Sequence, residues 1–164
     1  MTRTPPAAPD LSGLRLPLIV APMLRVSDLH LTSAAVRAGV IGAFPTLNAR
    51  SESALVEWLR ELDAVQSHST GLHCPNLVMA DADAIQHARL IADSGARMVI
   101  TSVGSPAPVT DLFAQAGIAV FADVATVAHA RKAVAAGVTG LVLLTAGAGG
   151  QTGWLNPFAF IDAV

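Results

Sequence analysis

Several residue types are scarce in this 164-residue chain, and each scarcity excludes a class of protein. The one cysteine, Cys74, rules out a disulfide framework and a thiolate metal cage. Lys132 is the sole lysine and the net charge is −2, so no basic patch exists to attract nucleic acid. The histidines lack the spacing of metal ligands, which argues against a metal site; they stand at positions 30, 68, 73, 87 and 129.

Long apolar runs are also missing, although 52% of the residues are hydrophobic. No run approaches the roughly 18–20 residues that a membrane span requires. The opening stretch MTRTPPAAPD has no apolar signal core, so we expect residues 1–12 to be a disordered lead-in before one domain, residues 13–164. We expect a cytoplasmic protein that acts on a small molecule and has neither nucleic acid nor membrane as a partner.

A repeated pattern of a small residue, a glycine and an apolar run organises the rest of the chain. Gly39, Gly95, Gly117 and Gly137 each follow a helical pattern, and we expect them just past a helix in a left-handed conformation. Ser27 is the candidate N-cap of the first helix. The apolar runs are strand-sized and rich in branched residues. The predicted strands are residues 17–22, 40–44, 73–79, 98–102, 119–123 and 140–145.

The alternation of strands and helices predicts a parallel sheet, for which two architectures compete. An open doubly wound sheet would more often carry a phosphate loop after its first strand, which here ends in VAPMLRVS without a glycine. Strand-to-strand spacing of about 21–23 residues favours a (β/α)8 barrel of the TIM type. With about six β/α units present, we predict a barrel that is incomplete at its C-terminus. Such a chain is a fragment, a truncated product, or one that covers its sheet edges by association, as in a homo-oligomer.

Ligands of parallel α/β folds bind at the carboxyl ends of the strands, so the candidate site residues lie there. The most unusual stretch is GAGGQTG, residues 147–153, after the sixth predicted strand. It matches neither the dinucleotide fingerprint nor a P-loop. One interpretation is a tight turn into the next helix. The other is a backbone left bare so that a flat ligand or a phosphate can approach its N–H groups.

Three segments together resemble the nitronate monooxygenase family, once called 2-nitropropane dioxygenases. The segment PLIVAPMLRVSDLHLTSAAVRAGVIGAF, residues 17–44, is similar to the opening of that family. CPNLVMA, residues 74–80, is similar to its third strand, and ARKAVAAGVTGLVLLTAGAGGQTG, residues 130–153, to its loop after the sixth strand. Members of the family are FMN-dependent barrels, so the resemblance implies FMN as the cofactor.

The resemblance also implies roles for individual residues. Pro22 and Met23 would touch the flavin ring, and Asn76 would bond its edge or its ribityl chain. Gln151 stands where the family has a histidine, and it is the catalytic candidate. The other cofactor-binding candidates lie at strand ends and in the glycine-rich loop: Thr46, Asn48, Asp123, Ala148, Gly149 and Gly150.

The glutamine in place of the family's histidine changes the expected chemistry. Glutamine bonds a nitro or carbonyl oxygen but does not take a proton near neutral pH. We therefore expect a variant that oxidises alkyl nitronates, or similar acids that are already ionised, with O2. Two alternatives stay open: a flavin barrel that reduces enoyl thioesters with a nicotinamide donor, and a truncated, non-catalytic fragment.

Overall fold

The computed structural model describes residues 6–164, in which parallel strands alternate with helices. The strands are β1 (Ile19–Val20), β2 (Ile41–Pro45), β3 (Leu72–Val78), β4 (Met98–Ser102), β5 (Ala119–Val124) and β6 (Gly140–Leu143). The helices are α1 (Leu29–Arg37), α2 (Glu52–Gln66), α3 (Ala84–Ala92), α4 (Ala107–Ala116), α5 (Val127–Ala135) and α6 (Pro157–Ala163), and a 3₁₀ turn spans Thr46–Asn48. Part of the predicted lead-in, residues 1–5, lies outside the described residues.

Strands that are neighbours in the chain are also neighbours in the sheet, in the order β1-β2-β3-β4-β5-β6, and every pair is parallel. Right-handed crossovers between strands in this order place all connecting helices on one face of the sheet. A doubly wound sheet instead changes direction at a switch point and carries helices on both faces. The predicted TIM-type barrel with about six β/α units is therefore confirmed.

Each of the six predicted apolar runs overlaps an observed strand, but the first strand is much shorter than predicted. The run at 17–22 forms only the two-residue strand β1, which pairs on one side with β2. Helix α4 begins after its N-cap, Pro106, and ends before Gly117, as the repeated pattern predicts. The final helix, α6, begins at Pro157 and is capped by the Asn156 side chain, which accepts from the N–H groups of Phe158 and Ala159.

The predicted N-cap of α1 is wrong by one residue. Asp28 is the cap, and its carboxylate accepts from the Leu31 N–H at 2.9 Å. Ser27 is fully buried instead: its hydroxyl donates to the Ala21 carbonyl at 2.8 Å and accepts from the Met23 N–H at 3.0 Å. Ser27 therefore fixes the chain between β1 and α1 rather than the helix end.

Three of the four repeat glycines have the predicted left-handed conformation, and Gly95 does not. Gly39, Gly117 and Gly137 have φ values of 80°, 72° and 84°. Gly95 is required for close approach, since a Cβ there would lie 2.7 Å from a carboxylate oxygen of Asp63. Asp63 accepts from the Gly95 N–H at 2.9 Å and pairs with His73 Nε2 at 2.7 Å. Burial opposes the shift, but these hydrogen bonds and the charge of His73 keep the pKa of Asp63 below its ordinary value.

Buried apolar side chains form two layers, one on each face of the sheet. The larger layer lies between the sheet and the helices and includes Phe44, Leu55, Ile91 and Phe113. Because alternate strand residues point to opposite faces, the remaining strand residues build an inner layer. Its members are Ile41, Ala43, Leu72, Cys74, Met98, Ile100 and Ala119. Each fully buried Leu or Phe contributes about 1.5–3 kcal/mol, so the helix-covered face is the main source of stability.

Two kinds of feature are absent from residues 6–164. None of the helices in this range combines the length and apolar character needed to cross a bilayer. Among the same residues, no group of three or more His, Cys, Asp or Glu side chains is arranged to hold a metal ion.

Candidate functional site

The inner face of the sheet changes from apolar to polar at the carboxyl ends of the strands. The next inward-facing positions after Cys74, Ile100 and the partly buried Phe121 are Asn76 on β3, Ser102 on β4 and Asp123 on β5. In barrels of this type the carboxyl ends of the strands are where ligands bind. We call this edge of the sheet, with the loops that follow the strands, the rim.

Asn76 and Ser102 form a hydrogen-bonded pair across β3 and β4. Asn76 Nδ2 donates to Ser102 Oγ at 3.1 Å and to the Ile100 carbonyl at 3.2 Å. Both residues are 5% exposed, so the pair is largely shielded from solvent. Asn76 Oδ1 has only a weak contact, 3.5 Å from Ser102 Oγ, and it keeps the capacity to accept a further hydrogen bond.

Asn48 holds the loop between β1 and α1, which contains Pro22 and Met23. Its Oδ1 accepts from the Arg25 N–H at 2.8 Å, and its Nδ2 donates to the carbonyls of Met23 at 3.0 Å and Ser27 at 2.9 Å. Met23 is 39% exposed and Pro22 is partly buried. The loop is thus fixed with an apolar side chain available at the rim.

Thr46 lies on the helix side of the sheet. It is buried, and its Oγ1 is 3.1 Å from His87 Nδ1 on α3. Its hydroxyl therefore contacts the helix layer and not the inner face. A role for Thr46 in binding a ligand stays a prediction, and the structure gives it a contact that orders the chain after β2.

Two non-glycine residues at the rim have left-handed backbone conformations. Arg25, after β1, has φ 66°, and Val103, after β4, has φ 52°. A β-branched residue such as valine is a genuine outlier in this region. Gly104 presses against the end of β3, since a Cβ there would lie 2.8 Å from Met79 Cβ. Such strain costs about 1–3 kcal/mol per residue and is typical of ligand-binding segments.

The glycine-rich loop after β6 has one packed glycine and three open ones. A Cβ on Gly153 would lie 2.1 Å from the Leu144 carbonyl, so only glycine fits there. A Cβ on Gly147, Gly149 or Gly150 would meet nothing within 4 Å. The loop is closed on itself, because Thr152 Oγ1 donates to the Thr145 carbonyl at 2.6 Å. It is therefore a tight turn that also presents bare, exposed backbone over Gly147–Gly150.

Asp123 and Gln151 line one cavity of about 410 Å³. Within the described chain, no hydrogen-bond donor contacts the Asp123 carboxylate, and burial raises its pKa to about 6. Burial, and to a lesser degree the Asp123 charge, also raise the pKa of Cys74. The other lining residues belong to the ends of β4 and β5, to α5 and to the end of β6: Val103, Gly104, Ser105, Pro106, Ala122, Val124, Ala125, His129, Lys132, Ala133 and Leu144.

The structure brings the predicted site residues together in three groups on one rim. Pro22 and Met23 belong with Asn48 at the β1 end. Asn76 lies at the centre of the sheet and is paired with Ser102, a residue to which the sequence analysis assigns no role. Gln151 joins Asp123 at the β6 end, next to the exposed backbone of Ala148, Gly149 and Gly150. The sequence gives no specific role to Val103 or Ser102, and VGSP after β4 is its one local signal of a special turn.

No protein-family model matches this sequence, and no curated protein matches it either.

Solved structures show the same fold at low sequence identity. FabK from Thermotoga maritima is 18% identical with a TM-score of 0.80, over 94% of this chain and 50% of that one. Nitroalkane oxidase from Streptomyces ansochromogenes is 19% identical with a TM-score of 0.73, over 86% of this chain and 49% of that one. A mandelate oxidase mutant with (S)-mandelic acid is 21% identical with a TM-score of 0.56, over 90% of this chain and 55% of that one. The chain thus spans about half the length of these proteins.

Proposed function

We propose that this chain is the flavin-binding part of an FMN-dependent oxidoreductase of the nitronate monooxygenase type. The observation that carries the proposal is the open backbone over Gly147–Gly150, placed at the ligand-binding rim of a barrel fold. Two proteins of the same fold are named as oxidases, nitroalkane oxidase and mandelate oxidase, which supports an oxidoreductase.

The residues at the rim fit a planar cofactor that has one polar edge. The inner apolar layer ends just below Asn76, whose Oδ1 retains acceptor capacity for a ring N–H. Pro22 and Met23 would contact the face of the ring, and Asn48 would act through them by holding their loop. Ala148, Gly149 and Gly150 would offer backbone N–H groups without a side chain in the way.

The protein groups would bind and orient, while the cofactor carries the redox chemistry. Bound FMN would supply a two-electron acceptor that O2 reoxidises. Gln151 would donate its amide N–H to an oxygen of an alkyl nitronate or a similar small activated acid, and so orient the substrate. The closed turn over residues 145–153 would hold the glutamine at the edge of its cavity.

Flavin binding by the purified chain is the decisive experiment. Addition of FMN is expected to give a saturable change in the visible absorption spectrum and quenching of flavin fluorescence, with one site per chain. Riboflavin provides a second arm, which reports on recognition of the ring without the phosphate. A protein that stays colourless and leaves flavin fluorescence unchanged would refute the proposal and favour a non-catalytic fragment.

The same sample separates the two flavin chemistries. Under anaerobic conditions, an alkyl nitronate is expected to bleach the bound flavin and NADH is expected to leave it oxidised. Bleaching by NADH alone would favour the reductase alternative and contradict the proposed reaction.

A further inference from the structure

A second cavity, of about 250 Å³, lies beside the rim between the N-terminal ends of α2 and α3. Its walls come from the chain that leads from β2 into α2 and from the chain that leads from β3 into α3. The charged, amide and imidazole side chains that line it are Arg50, Glu52, Asp81, Asp83, Gln86 and His87. None of them belongs to the proposed flavin site, so this cavity requires an explanation of its own.

His87 is the residue that points to a ligand in this cavity. Its side chain, on α3, is only 9% exposed, and its Nδ1 lies 3.1 Å from Thr46 Oγ1. The other ring nitrogen, Nε2, has no hydrogen-bond partner among the described residues, but it is not sealed from solvent as His73 Nδ1 is. Because the ring lines the cavity, Nε2 opens into it. Nearly buried polar side chains are normally hydrogen-bonded, so a group bound in the cavity would complete the bonding of His87.

The carboxylates of the cavity also lack cationic partners. Within residues 6–164, no ion pair involves Glu52, Asp81 or Asp83. Asp83 is the N-cap residue of α3, yet its side chain bonds to no N–H of the helix, and Glu52 has only a 3.4 Å contact from Gln86 Nε2. Arg50 and the positive ends of two helices, about half a charge each, offset part of the three negative charges. A net charge of about −1 remains, which favours a cation.

The lining suits an organic cation better than a metal ion. Among the described residues, no group of three or more His, Cys, Asp or Glu side chains is arranged to hold a metal ion. A primary ammonium group has three N–H donors, so it can bond to separate acceptors around a cavity of this size. Leu47 and Ala49 line the same cavity and offer apolar surface to an alkyl chain.

We propose that this cavity binds a small primary ammonium ion that carries a short alkyl chain. The ammonium group donates to the carboxylates of Asp81 and Asp83 and to His87 Nε2. In this complex His87 carries its proton on Nδ1 and donates it to Thr46 Oγ1, since a hydroxyl oxygen can accept. Thr46 is therefore a positioning residue that acts through His87. The inference does not depend on flavin binding, because none of these side chains belongs to the flavin site.

NMR titration of the isotope-labelled chain with n-butylammonium chloride tests the proposal. The buffer is mildly alkaline, so that an ordinary imidazole is neutral. We expect saturable shifts, with one site per chain, at the backbone amides of residues 49–52 and 81–87 and at the His87 ring. Two matched probes separate the contributions: tetramethylammonium has the charge without an N–H donor, and n-butanol has the chain without the charge. Both are expected to bind about tenfold more weakly than n-butylammonium.

Variants at the two ends of α3 provide the second arm of the test. Asp83→Asn removes a charge without removing a helix cap, and it is expected to weaken n-butylammonium binding about threefold. His87→Ala is expected to weaken binding about tenfold. Asp93→Asn, at an exposed position after the other end of α3, is the matched control and should bind as the wild type does.

Three results would each overturn the inference: shifts that do not saturate, tetramethylammonium bound as tightly as n-butylammonium, or wild-type affinity in Asp83→Asn. The wild-type titration and Asp83→Asn both keep the buried imidazole in place. The test therefore remains decisive even if His87→Ala does not fold.

Discussion

Gly149 and Gly153 lie in the same loop but have opposite surroundings, and alanine at each position separates two interpretations of that loop. In Gly153→Ala the new Cβ would lie 2.1 Å from the Leu144 carbonyl and 3.2 Å from that of Ala125. Carbon–oxygen contacts normally begin near about 3.3 Å, so the loop has to move by about 1 Å. In Gly149→Ala the Cβ meets nothing, and the residue has no left-handed φ to strain it.

The magnitudes follow from these contacts. Gly153→Ala is expected to lower the free energy of unfolding by about 1–3 kcal/mol, the usual cost of overpacking. Gly149→Ala is expected to change it by less than about 0.5 kcal/mol, as an open surface position. If FMN approaches the bare backbone, the methyl group that Gly149→Ala introduces would obstruct it. The affinity for FMN should then fall about tenfold, or about 1.4 kcal/mol.

Two assays on each variant distinguish the interpretations: urea denaturation without ligand and fluorescence titration with FMN. A loop that serves only as a turn predicts an effect of Gly153→Ala on unfolding and no effect of Gly149→Ala on either assay. A loop that also receives the cofactor predicts weaker FMN binding by Gly149→Ala with unchanged stability. Wild-type affinity in Gly149→Ala would therefore refute the placement of FMN beside this loop.

Two further predictions concern the rim. Asn48→Ala removes three hydrogen bonds from the loop after β1 and is expected to lower the free energy of unfolding by about 2 kcal/mol, measured with urea. Gln86→Ala, which loses one amide contact of 3.4 Å, is its control and should be near neutral. For Asp123, the folded pKa of about 6 exceeds the ordinary 3.8, so the contribution of this group to stability is greatest below pH 4 and should fall by roughly 1–3 kcal/mol as the pH rises to about 6. Thermal melts of Asp123→Asn should lack that fall, and a parallel fall in both proteins would contradict the assignment.

The architecture is readable from the sequence because its signals are local and repeated. Gly39, Gly117 and Gly137 mark helix ends through a backbone conformation that favours glycine wherever it occurs. Ser27 fails as a cap because the next residue is an equally good one, and burial of the serine, a tertiary effect, decides between them. The predicted length of β1 is wrong for a similar reason, since only one neighbouring strand pairs with it.

The site is only partly readable, since counting along a strand places a residue but not its partners. Asn76 and Asp123 are predictable as strand-end residues. That Asn76 is bonded to Ser102, while Asp123 has no donor among the described residues, depends on side chains from other strands. The left-handed conformation of Val103 has no signal in the residue itself, because valine is among the residues least suited to it.

The two ends of the strands differ in a way that indicates where chemistry takes place. At the amino end of β3, His73 is fully buried and its Nε2 is paired with the Asp63 carboxylate, which also receives the Gly95 N–H. At the carboxyl ends, by contrast, Asp123 has no donor in the described chain, and strained residues follow β1 and β4. The His73–Asp63 pair stabilises the fold at the amino end, where His73 Nδ1 is the buried side-chain atom that lacks a partner among the described residues, and the strained residues and Asp123 lie at the carboxyl ends. A ligand that binds at the carboxyl ends would therefore gain contacts that folding itself does not use, which is the arrangement expected of a binding site built on a stable scaffold.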